Sequence, residues 1–307
     1  MKTFIKKMTC QLVIMLLTCS NLLYATSPSG FYLPEPIEQV TIRYTCINNL
    51  IVLPLVINGN LKVNLVLDTG TRNIVLFGKR FEKLLEFVPN RNVQFTGMGT
   101  GKQVYGKLSI DNQVKLTSLI GERISLVVVP NKNVFINTPK VDGIIGYDIF
   151  QKFEVEIDPK QKFITFRSPD SRFAPSGFTH IPLRIENTRP IIDSEFLLEN
   201  GTNLITNLMI DTGSQLSFLL KTTNESLLNS TFPEVLGFGM SGSIEGIKTM
   251  AQTINLAGIN FQNQSTGIIR SEWHNYGSMG MGILKEYALI INYSGAYACL
   301  KKLQFTK

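Results

Sequence analysis

A long internal repeat constrains this chain more than any other feature. Leu65-Val66-Leu67-Asp68-Thr69-Gly70-Thr71 recurs as Leu208-Met209-Ile210-Asp211-Thr212-Gly213-Ser214, 143 residues later. Gly97-Met98 then matches Gly239-Met240, and Gly106 matches Gly246. Further on, Gly146, Ile149, Phe150, Phe153, Val155 and Ile157 match Gly280, Ile283, Leu284, Tyr287, Leu289 and Ile291. A period of about 140 residues is too long for a solenoid and suits two copies of a compact domain. The expected division is 26–172 and 173–307, because 168–177 between the copies is rich in turn formers and lacks periodicity.

Most of the remaining segments read as strand: Val40 to Cys46, Ile51 to Ile57, Leu61 to Leu67, Lys107 to Ile110, Ile124 to Val129 and Phe153 to Ile157. Asn58-Gly59 between apolar runs predicts a tight two-residue hairpin turn, since both residues tolerate positive φ. Helical spacing is confined to Phe81, Leu84, Leu85 and Val88, and to a turn or two over Tyr147 to Lys152. The expected class is therefore all-β with a few short helices.

The N-terminus sets Lys2, Lys6 and Lys7 before the apolar run Leu12 to Leu17, followed by small and polar residues around Ala25. That order is a signal peptide over 1–25, with export to a periplasmic or extracellular location. The apolar run is too short to span a bilayer. Leu16-Leu17-Thr18-Cys19 also resembles a lipoprotein box that would lipidate Cys19, although Thr18 is large for its position. Without the three leader lysines the formal charge of +7 becomes +4, and no basic run carries the interleaved aromatics that grip nucleic acid. Cys46 and Cys299 are the cysteines left after the leader, and export permits a disulfide between them or two free thiols.

Asp-Thr-Gly at the end of an apolar strand has a physical logic. The strand fixes the backbone, glycine lets a tight turn approach another backbone, and the carboxylate is presented at the tip. Two copies on one chain can set two carboxylates against each other. The first copy continues to Val141-Asp142-Gly143-Ile144-Ile145-Gly146, two apolar residues before a glycine. This combination resembles the pepsin and retropepsin superfamily of aspartic peptidases over essentially the whole chain after the leader. The run from Gly146-Tyr147-Asp148-Ile149-Phe150 into Phe153-Glu154-Val155-Glu156-Ile157-Asp158 is most similar to exported bacterial retropepsin-like proteins.

The resemblance implies a bilobal acid-protease fold, two pseudo-twofold-related β-barrel lobes, and an aspartic endopeptidase acting on a peptide or protein substrate. Asp68 and Asp211 would hold the attacking water. Thr69 and Thr212 would lock the loops together across the lobes, with Gly70 and Gly213 permitting the approach. Thr71 and Ser214 would donate hydrogen bonds to the outer carboxylate oxygens and so set an acidic optimum. Gly97, Met98 and Gly99, with Gly239 and Met240, fall where flap hairpins are expected. Ile144, Ile145 and Gly146, with Met279 and Gly280, would support the loops from beneath.

Ser278 stands where a branched apolar residue is usual, and Tyr105 is the nearest residue to a flap tyrosine. With both lobes on one chain, a monomer suffices. No metal or cofactor is implied: His180 and His274 have no metal-ligand spacing, and Gly239-Met240-Ser241-Gly242-Ser243 lacks the last glycine of a serine-hydrolase elbow. The alternative is a catalytically silent protein of the same fold that binds a peptide or glycan in its cleft.

Overall fold

The computed structural model describes residues 29–305 except 96, 98, 100, 102, 131–134, 136–137, 139, 172–174, 229–232 and 272–275. The leader with Cys19, and also Met98 and His274, therefore lie outside the described residues. Strands dominate, and the α-helices among the described residues are single turns at Tyr147–Phe150, Glu225–Leu228 and Met281–Leu284. The predicted helix near Phe81 is a 3-10 turn, Lys79–Lys83, whose buried residue is Phe81.

Two closed rings of strands organise the chain. In the first, Leu119–Val129, Ile74–Phe77, Gly143–Ile145, Leu61–Leu67, Leu50–Ile57 and Val104–Leu116 pair in turn, and the last pairs back to the first. In the second, Ile259–Arg270, Phe218–Thr222, Tyr276–Gly280, Asn203–Asp211, Arg189–Leu198 and Gly242–Leu256 close in the same order. Closure leaves no unpaired edge around each ring. A third sheet of six strands draws Gln39–Arg43, Glu154–Asp158 and Phe163–Arg167 from the first half and Thr179–Pro182, Tyr287–Asn292 and Tyr297–Lys302 from the second. The all-β expectation holds, and the halves share this sheet.

The strands that lead to the aspartates run parallel to the supporting ones: Leu65–Leu67 against Gly143–Ile145, and Asn207–Asp211 against Tyr276–Gly280. Strands buried on both faces need apolar residues at successive positions. Leu65, Val66, Leu67, Ile74, Val75, Leu76, Ile144 and Ile145 are all buried. The second supporting ladder has five paired residues and the first has three, so Ser278 does not interrupt the backbone beneath Asp211.

At Asn58-Gly59 both φ angles are positive, as expected, at 48° and 79°. The turn nevertheless includes Asn60, because Leu61 is the residue that pairs with Ile57. The Asn58 side chain binds Asn112 and Gln113 on the neighbouring strand, which draws the turn open by one residue. The predicted strand Val40 to Cys46 breaks at Tyr44: Gln39–Arg43 joins the six-stranded sheet and Thr45–Ile47 the first barrel.

Candidate active site

Asp68 follows the strand Leu61–Leu67, and Asp211 closes the strand Asn203–Asp211. Their loops fold alike. Gly70 N–H donates to Asp68 Oδ1 at 2.7 Å, and Gly213 N–H donates to Asp211 Oδ1 at 3.1 Å. Asp68 N–H donates to the Ile145 carbonyl at 2.8 Å, which ties the loop to its supporting strand. Tyr147 N–H reaches the Thr71 carbonyl and Met281 N–H reaches that of Ser214, the same bond in each half.

The two loops are cross-bonded through their threonines. Thr69 Oγ1 donates to the Ile210 carbonyl at 2.6 Å and accepts from Thr212 N–H at 3.1 Å. Thr212 Oγ1 donates to the Leu67 carbonyl at 2.8 Å and accepts from Thr69 N–H at 3.1 Å. Both threonines are fully buried, so each hydroxyl satisfies a backbone group that has no access to water. Valine would be isosteric here and would leave four buried backbone groups short of partners.

Gly213 lies directly on the opposite carboxylate. A Cβ there would stand 2.4 Å from Asp68 Cγ and 2.6 Å from its Oδ1, closer than any side chain can approach. Gly146 and Gly280 meet the same limit beneath the loops, where a Cβ would lie 1.9 Å from the Asp68 carbonyl oxygen and 2.4 Å from that of Leu216. Tyr293 inserts under the junction, stacked on Phe150 at 5.4 Å, with its hydroxyl 3.4 Å from the Thr69 carbonyl.

One expectation is corrected here, and one open alternative is decided. Thr71 Oγ1 donates to the Asn73 carbonyl at 3.1 Å rather than to Asp68, and Ser214 Oγ accepts from Leu216 N–H at 3.3 Å. Each hydroxyl is drawn into its own turn, where a partner two residues on is nearer than the carboxylate. The acidic optimum inferred from those hydroxyls loses its basis. Burial raises the pKa of Asp68 despite the Gly70 and Thr71 N–H groups and the Arg189 charge that pull it down. Asp211 is 6% exposed, and burial with the Asp68 charge pushes it up to about 7. Two carboxylates so close share one proton, which leaves one ionised and one neutral.

Of the two states open to the cysteines, the structure has both as free thiols. Cys46 lies on Thr45–Ile47 of the first barrel and is exposed, whereas Cys299 is buried in the six-stranded sheet beside Ile290 and Tyr297. Different sheets hold their backbones, and no disulfide joins them.

The glycine-rich segments form the tips of facing hairpins. Glu234–Gly239 pairs with Gly242–Leu256 around Met240 and Ser241, and Asn92–Phe95 pairs with Val104–Leu116. The tips touch: a Cβ on Gly97 would meet Met240 Cβ at 2.5 Å, and one on Gly99 would meet Gly242 N at 2.6 Å. Gly99 and Gly242 both have positive φ, at 126° and 115°. Only glycine combines that backbone with such an approach. Tyr105 is exposed and donates to Gln103 Oε1, on the outside of its hairpin. A cavity of about 380 Å³ lined by Tyr44, Cys46, Met281 and Lys285 contains neither aspartate.

Residues that carry no motif also surround the pair. Arg189 acts electrostatically on both aspartates and on the Tyr276 hydroxyl, and Lys221 acts on Asp211. No spacing pattern marks them, because the barrel pairs strands distant in sequence. Among the described residues no cluster of His, Cys, Asp and Glu could hold a metal, and no helix is long and apolar enough to cross a membrane.

Paired closed barrels with cross-bonded Asp-Thr-Gly loops define a pepsin-like architecture. Residues 53–149 match the family model described as Aspartyl protease, a span that runs from within the strand Leu50–Ile57, past Asp68, to the helical turn after Gly146. Over that segment the chain is similar to the pepsin/retropepsin-like aspartic proteases. No curated protein matches it.

Proposed function

We propose that the chain is an exported aspartic endopeptidase that hydrolyses peptide bonds with a water held between Asp68 and Asp211. The observation that carries this reading is the contact of the Asp68 carboxylate with Gly213 on the loop that presents Asp211. It brings the two acids within the range where they share a proton, and the upward shift of Asp211, caused first by burial and then by the Asp68 charge, accords with this.

The ionised carboxylate takes a proton from water as it attacks the peptide carbonyl. The neutral carboxyl hydrogen-bonds the developing oxyanion and passes its proton on. The cross-bonded threonines hold both acids still, so little reorganisation accompanies the reaction. The touching hairpin tips would act as flaps, and an extended peptide would pair with their edges once they part. Division at about residue 172, action as a monomer, and removal of 1–25 on export complete the proposal.

The test is cleavage of a mixed peptide library by the purified chain and by Asp68→Asn and Asp211→Asn. Turnover should fall about a thousandfold or more in each variant, in the range of a lost general acid or base. A transition-state peptide analogue should inhibit the unaltered chain. Equal activity in all three proteins would exclude the mechanism.

A further inference from the structure

The strand register gives each residue around Asp211 a mate around Asp68. Met209 pairs with Ile191 on one side and Ser278 on the other, and Ser278 pairs with Leu219. Val66 pairs in the same way with Val52 and Ile144, and Ile144 with Val75. Side chains paired across strands share a face, and so do residues two apart on one strand. One step further along, Arg189, Tyr276 and Lys221 occupy the positions of Leu50, Asp142 and Phe77.

The mates differ in kind. Leu50 and Phe77 are buried and apolar, and Asp142 is neutralised by Arg80 and accepts from Asn64 N–H. In the second barrel two cations take the apolar places, and both are half-buried. Lys221 lies 5.4 Å from the centre of the Tyr276 ring, and Arg189 acts electrostatically on the hydroxyl of the same tyrosine. Neither cation forms an ion pair among the described residues. Glu186, the strand neighbour of Arg189, is turned to Arg184 at 3.0 Å, which also holds Asp193 at 2.6 Å.

This face is therefore short of negative charge. The aspartate pair with its shared proton carries one negative charge against two positive ones. Burial pulls the pKa of Lys221 down, the Asp211 charge offsets part of that, and proximity of Arg189 adds to the lowering, so the second cation is held at a cost that Asp211 only partly relieves. A half-buried cation without a counter-ion costs free energy that an incoming anion offsets. The two cations lie on the face that presents Asp211, within reach of a substrate held there.

We propose that Arg189 and Lys221, with Tyr276 between them, form a subsite that selects a carboxylate on the substrate. That group is an acidic side chain near the scissile bond or the C-terminal carboxylate of a short peptide. The inference rests on the peptidase reading for its substrate class.

The test uses quenched peptides that differ only as Glu or Gln at each position around the cleavage site, each made with a free or an amidated C-terminus. The unaltered chain should favour the carboxylate-bearing member by about tenfold or more in kcat/KM, as an interfacial charge pair would. The free-acid and amide arms show whether side chain or terminus supplies the group. Arg189→Gln should collapse the ratio towards one, and Arg189→Glu should turn the preference towards Lys peptides. A ratio that persists in Arg189→Gln, or that is one in the unaltered chain, overturns the subsite. If no peptide is cut, Asp211→Asn titrated with the same peptides in fluorescein-labelled form decides independently. Tighter binding of the carboxylate member, lost when Arg189→Gln is added, supports the subsite although the peptidase reading has failed; equal binding overturns it.

Discussion

The loops at Asp68 and Asp211 share one backbone frame and differ in what surrounds it. Each carboxylate accepts from the N–H two residues on, each threonine bonds the opposite strand, and each supporting glycine is pressed against a loop carbonyl. Around Asp68 the supporting face is apolar, with Val52, Val66, Val75 and Ile144 all buried. Around Asp211 the same positions hold Ile191, Met209, Leu219 and Ser278, flanked by Arg189, Lys221 and Tyr276. The frame has to be symmetric because both loops bond each other. The flanks are free to diverge because they do not bond each other.

The largest expected effect breaks the symmetry at the glycines. Gly213→Ala drives a Cβ into the Asp68 carboxylate and should lower turnover about a hundredfold, the usual cost of displacing a reacting group by about an ångström. Gly70→Ala should cost less, because its Cβ would meet Asp68 Oδ1 at 3.0 Å and the flexible Met209 Cε at 3.2 Å. Steady-state kinetics on both variants measures the difference, and equal losses would show the glycine contacts to be equivalent.

Thr69→Val and Thr212→Val should each destabilise the fold by about 1–3 kcal/mol, the penalty for stranding buried backbone groups. Urea unfolding should give the two variants nearly the same loss. A clear inequality would mean that one barrel depends on the clamp more than the other.

A smaller effect appears in the pH dependence of stability. Asp211 titrates near 7 in the folded chain against an ordinary 3.8, so between those values the native state binds more protons than the unfolded one. Its contribution is fully present below about pH 4 and is lost as pH rises through about 7. The shift of Asp68 has the same sign, from burial. Thermal unfolding from pH 4 to 8 should therefore decline less steeply in Asp211→Asn than in the unaltered chain. Peptide hydrolysis should fail above about pH 7, where the neutral partner is lost. A parallel decline in both proteins would remove the shared proton from the account.

The smallest effect lies beneath Asp211. Ser278 Oγ is buried without a hydrogen-bond partner, and its mate is Ile144. Ser278→Val should raise stability by about 1 kcal/mol by removing an unsatisfied hydroxyl. Denaturant midpoints compare the two proteins, and a loss of stability would mean that the hydroxyl has a structural partner.

Much of this was legible in the chain itself. Both aspartates, the threonine clamp, the supporting glycines and the hairpin tips lie in short segments whose chemistry is local, and the repeat aligns them. Strands with buried faces announce themselves as apolar runs, which is why Leu61–Leu67 was placed to the residue. The Thr71 and Ser214 hydroxyls were misread because a turn offers nearer partners than a motif suggests. Cys46 and Cys299 were open to pairing because sequence separation does not reveal which sheet a strand joins.

By itself the sequence determined that two like halves each present an Asp-Thr-Gly loop, since a repeat of that length with matching apolar flanks has few other ways to bury its strands. Only the tertiary structure decided how the acids titrate and what stands beside them. Burial and the field of Arg189 and Lys221 arise when strands distant along the chain become neighbours. No local pattern of residues encodes that juxtaposition, so the cationic flank of Asp211 came into view only with the closed barrel.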